Sequence, residues 1–131
     1  MPSLGKEMVD SYGALIEARE GDWIGASGPV ALTLGFERGM VLLSADADDD
    51  TIEVSVVESA SGRDVSAQAP WKDAIGRGLV WVWALTNQHG YEDGCQFEFG
   101  DVGRNDRPEQ FCIQVIVAAA TLHISTVSVS P

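Results

Sequence analysis

The sequence predicts a mainly β fold, an antiparallel β-sandwich or open barrel of about eight strands with one short helix. Three observations predict it. Apolar residues recur at period two in short runs: Val30-Leu32-Leu34-Phe36, Ile52-Val54-Val56, Cys95-Phe97-Phe99 and Phe111-Ile113-Val115-Val117. That alternation is the signature of a pleated backbone. Gly-rich or Asp-rich turns separate the runs. The chain beyond Glu109 carries no Asp, Glu, Lys or Arg, and so apolar a tail has to be paired into a sheet.

The 131 residues are enough for one domain with its own core, so 1–131 is read as a single globular domain. Residues 5–22 are ambiguous. Met8, Tyr12, Leu15, Ile16 and Arg19 fit a helical face, whereas Tyr12, Ala14 and Ile16 fit one face of a strand. Gly13 weakens a helix by about 1 kcal/mol, which tilts the reading to a strand near 12–19 after a short helical turn. Trp23 and Ile24 read as plugs within a Gly-rich loop. Residues 30–58 read as a three-stranded meander. Its first turn is Glu37-Arg38-Gly39, with Gly39 in the left-handed position, and its second is the acidic connection Asp46–Asp50. Residues 59–70 read as the longest irregular loop, and Pro70 to Gly76 as one or two helical turns.

The run Leu79-Val80-Trp81-Val82-Trp83-Ala84-Leu85-Thr86 reads as the central strand. It is apolar at both parities, so both faces are expected to be covered, or the strand to lie mid-sheet. Burial of Trp83 would make Trp83→Ala cost about 3–5 kcal/mol. A turn-rich connection leads to the Cys95–Phe99 strand. Gly100 to Pro108 forms a second loop carrying Arg104 and Arg107, and two further strands follow, around 111–117 and 122–126.

Net charge is −12, from twenty acidic and eight basic residues. This argues against nonspecific binding to nucleic acid or anionic membranes, both of which need a positive surface. It permits a basic partner, or simply high solubility. Met1–Glu7 has no apolar signal core, and no stretch reaches the ~18 apolar residues of a membrane span, so the cytoplasm is the expected location. Cys95 and Cys112 fit no metal spacing and read as reduced, buried thiols. No phosphate-cradling GxxxxGK[ST] or GxGxxG is present.

Two constellations could carry function. In the acidic run Asp46–Asp50 the alternating carboxylates Asp46, Asp48 and Asp50 resemble the opening of a calcium loop, but Thr51 and Val57 stand where an EF-hand has its glycine and bidentate glutamate. The ordinary reading is a turn whose Asp side chains bond backbone amides. The hairpin tip Asn87 to Asp93 gathers Asn87, His89, Tyr91, Glu92 and Asp93. His89 with Glu92 or Asp93 could act as a base and its orienting carboxylate. The ordinary reading is a structured loop with Tyr91 packed back on the sheet. Cys112 and His123, on the last two strands, read as interior residues.

The motifs Ala45-Asp46-x-Asp48-Asp49-Asp50-Thr51-Ile52 and Trp81-Val82-Trp83-x-x-x-Asn87-Gln88-x-Gly90-Tyr91-x-Asp93-Gly94 resemble small single-domain bacterial families of unknown function. The resemblance implies a soluble bacterial domain and brings no activity, cofactor or ligand.

Two function classes follow. The first is a non-enzymatic interaction module, in one form an immunity-like inhibitor of a basic protein. Its contacts would be Asp46, Asp48, Asp49 and Asp50, with Asn87, His89, Tyr91, Glu92 and Asp93 as a second surface. The alternative is a metal-assisted enzyme or small-ligand protein built on the Asp46–Asp50 run and the Asn87–Asp93 loop. With no catalytic signature the reading leans away from an enzyme and names no cofactor. A homodimer through an exposed strand edge is the remaining partner expectation.

Overall fold

The computed structural model describes residues 2–21, 28–46, 48–100 and 111–127. Helix α1 spans Pro2–Ser11. Strands β1 (Leu15–Gly21), β2 (Ala31–Phe36), β3 (Gly39–Asp46), β4 (Thr51–Val56) and β5 (Arg63–Asp64) follow. After a 3-10 turn at Trp71–Asp73 come β6 (Gly78–Thr86), β7 (Glu92–Gly100), β8 (Phe111–Ala118) and β9 (Thr121–Val127). The strands form two antiparallel sheets, ordered β4-β3-β2-β1-β5 and β6-β7-β8-β9. The fold is thus mainly β and sandwich-like. Neither sheet closes into a barrel among the described residues.

The alternating runs place one set of side chains between the sheets. Leu32, Leu34, Val41 and Leu43 from the first sheet join Phe97, Phe99, Ile113 and Val115 from the second in one buried cluster. The meander appears as expected, with Leu34 opposite Val41 and Leu43 opposite Val54.

Residues 5–22 divide in two. Met8 and Tyr12 lie one turn apart, and both are buried as α1 leads into β1. The helical part is therefore ten residues long rather than a single turn, because that spacing buries two large side chains at once. The Tyr12 ring lies against Phe36, with centroids 5.8 Å apart. This contact accounts for Gly39, whose φ is not in the left-handed region. A Cβ there would stand 2.5 Å from the Tyr12 ring, so the position demands a missing side chain rather than an unusual backbone.

Other expectations also change. The 59–70 segment contains β5, which pairs with β1, and a fully buried Val65. Ser66 ties it down: its hydroxyl accepts from the Ala18 amide at 3.0 Å and lies 2.5 Å from Asp64 Oδ1. That bond, with a second from the Ser66 backbone N–H, holds the Asp64 carboxyl below its ordinary range. His123 is exposed, because its parity puts it on the outer face of edge strand β9. Cys95 and Cys112 are free and buried. Trp23, Ile24 and the loop carrying Arg104 and Arg107 lie outside the described residues.

Candidate functional site

The largest departure from the sequence reading is at β6. The strand is neither central nor covered on both sides; it is the edge of the four-stranded sheet. Its register explains the exposure of its tryptophans. Leu79 pairs with Phe99, but Trp81 pairs with Glu98, so Val80 is one residue too many. A one-residue bulge reverses the faces of everything beyond it. Val82 then shares the inner face with Phe97, while Trp81 and Trp83 share the outer face with Glu98 and Gln96. The two tryptophans are 53% and 48% exposed, with ring centroids 5.8 Å apart and tilted by 52°.

Helix α1 packs beside β6. A Cβ on Gly5 would stand 3.4 Å from Val82 Cβ, so the glycine sets how closely the helix approaches. Between the two elements runs an open groove of about 490 Å³, lined by Gly5, Lys6, Val9 and Asp10 on one side and Trp81, Val82, Trp83 and Ala84 on the other. Lys6 and Asp10, one helical turn apart, form an ion pair on its rim, and that carboxylate raises the Lys6 pKa.

The acidic run is the β3–β4 turn, and its carboxylates are largely engaged with the chain. Asp46 Oδ1 accepts from the Asp48 N–H at 3.0 Å, and Asp49 Oδ1 from the Thr51 hydroxyl at 2.6 Å. Asp50 Oδ1 accepts from the Ala120 N–H at 3.0 Å, across to the β8–β9 turn. This is the amide-bonding turn anticipated from the sequence. At the β6–β7 tip, Asn87 does similar work: its Oδ1 accepts from His89 N–H at 2.9 Å and Tyr91 N–H at 3.2 Å. His89 and Glu92 are exposed, and Tyr91 is 53% exposed rather than packed on the sheet.

Topology gathers these two regions. Gly94 of β7 pairs with Ile116 of β8, so the β6–β7 and β8–β9 turns lie at one end of the sheet. The Asp50–Ala120 bond brings the β3–β4 turn to that same end. Asp46, Asp48, Asp49 and Asp50 therefore share an end of the sandwich with the Asn87–Asp93 tip. No three His, Cys, Asp or Glu side chains converge into a potential metal cluster among the described residues. The groove beside β6 is lined by none of the residues of either acidic turn.

Sequence reasoning missed Lys6, Val9 and Asp10 as part of a surface feature. The i, i+4 pairing of Lys6 with Asp10 was the available signal. The bulge at Val80 has no signal in composition or periodicity.

Residues 19–129 match the family of unknown function DUF6334. The chain belongs to this family. No curated protein and no solved structure matches it. The DUF6334 match takes in β6 and both acidic turns, while α1, the other wall of the groove, lies outside it. Among the described residues no helix is long and apolar enough to cross a membrane.

Proposed function

We propose that this DUF6334 protein is a non-enzymatic interaction module for a basic partner protein. The observation that carries the reading is the half-exposed Trp81–Trp83 pair on an edge strand of a chain with net charge −12. Paired exposed tryptophans are costly to leave in water and supply the rigid apolar anchors on which interfaces depend. The strongly acidic surface steers a basic partner toward them. The end bearing Asp46, Asp48, Asp49 and Asp50, with Asn87, His89, Tyr91, Glu92 and Asp93, serves as the second, charged contact. Inhibition of a basic toxin or nuclease is one form such a module takes.

The test is capture from a lysate of the producing organism on immobilised protein, eluted with rising salt. The expected result is a stoichiometric basic protein, released by salt and retained poorly by two variants. One replaces Asp46, Asp48, Asp49 and Asp50 with Asn; the other replaces Trp81 and Trp83 with Thr. Retention unchanged in both variants overturns the reading.

A further inference from the structure

We infer that β6 accepts an extended, basic polypeptide segment as a fifth strand of its sheet, seated in the groove between β6 and α1. The inference rests on the interaction reading above and specifies its geometry. The lining of the groove points to strand addition. A strand offers every second residue to each of its faces, yet Trp81, Val82, Trp83 and Ala84 line the groove consecutively. Four residues in a row are accessible together only from the strand's edge. Their backbone covers about 13 Å, long enough for several ladder hydrogen bonds.

The other edges show why β6 stands apart. β5 has two residues, both charged. β4 carries Glu53, and β9 exposes His123, Ser125 and Thr126. Short length and polar or charged side chains discourage pairing with another chain. β6 is nine residues long, Gly78–Thr86, and carries no charged side chain. Apart from one bridge between Ala14 and Gly78, no strand pairs with its outer side among the described residues.

Charge selects the occupant. A second copy of the chain carries a further net charge of −12, and like net charges oppose association. While Asp10 on the groove wall is already paired with Lys6, a segment rich in Lys or Arg suits the chain's net charge and meets Glu98 opposite Trp81. Its cationic side chains also reach the Trp81 and Trp83 rings, whose faces attract cations.

The probe is a short peptide of alternating lysine and valine, titrated into the full chain. Tryptophan fluorescence reports binding, and backbone amide hydrogen exchange reports its location. The comparison peptide carries the same charge with prolines in place of the valines, so it cannot donate to a ladder. The expected result is binding with slowed exchange along β6, and affinity at least about tenfold weaker for the proline peptide. Ala84→Lys, a change at an exposed position, is expected to weaken binding by a similar factor without lowering the melting temperature.

Equal binding of both peptides with unchanged β6 exchange overturns strand addition and leaves a basic partner held by charge alone. No binding of the lysine–valine peptide also overturns it, whereas the interaction reading stands or falls by the salt-eluted capture. A concentration-dependent dimer abolished by Ala84→Lys, with no peptide bound, assigns the edge to self-association and overturns the basic segment.

Discussion

Trp71 and the Trp81–Trp83 pair are the same residue type in opposite settings. Trp71 is 1% exposed, set into the core by the 3-10 turn before β6. Trp81 and Trp83, ten and twelve residues later, stand about half in solvent. Hydrophobicity cannot distinguish them. What does is the position of the backbone: Trp71 enters the core from a turn beside both sheets, whereas the Val80 bulge rotates the other two away from it. The difference teaches that a tryptophan's role is set by register, and that large apolar area on an edge strand is available for contact rather than for stability.

The comparison breaks first, if it is wrong, at Trp71. Trp71→Ala is expected to cost about 3–5 kcal/mol by denaturant unfolding, a large share of a small domain's stability. Trp71→Phe should cost far less, because its indole N–H has no hydrogen-bond partner to lose. A Trp71→Phe loss close to that of Trp71→Ala would show that the indole N–H does have a bond to lose.

Cys95 sharpens the interior half of the comparison. Burial, with the Glu92 carboxylate adding to it, pushes its thiol up to about 12. The folded state therefore keeps the proton where an unfolded cysteine, at about 8.5, gives it up. Stability from this group is complete below about pH 8.5 and declines as pH rises from there toward 12. Urea midpoints measured through that range should fall, and the part of the fall due to this thiol should disappear in Cys95→Ala.

The smallest effect is expected at the exposed pair. Trp81→Thr with Trp83→Thr should change stability by about 1 kcal/mol or less, the value of one aromatic pair, while sharply weakening partner binding. A loss comparable to that of Trp71→Ala would mean that the edge tryptophans belong to the core after all.

Much of this architecture was legible in the residues. Strands such as Val30–Phe36 and Cys95–Phe99 announce themselves because one face is buried and alternation survives. The acidic turn was legible as a turn because Asp side chains commonly bond nearby amides. The edge location of β6 was not, since an apolar run at both parities describes a strand buried on both sides as well as one bulged at a sheet edge. Helix α1 was obscured by Gly13, which lies just beyond its end. The shared end of the two candidate surfaces depends on Asp50 and Ala120, seventy positions apart, a pairing that no local pattern encodes.

That same bond bears on how the last hairpin is held. Ala119 and Ala120, which join β8 to β9, both have positive φ, at 53° and 65°. Alanine resists that conformation, so the turn has little tendency to close alone. The acceptor for the Ala120 amide arrives only with the β3–β4 hairpin. The geometry of the last hairpin is thus tied to a residue seventy positions earlier, and removing the Asp50 carboxylate should loosen the β8–β9 turn although no residue of that turn is changed.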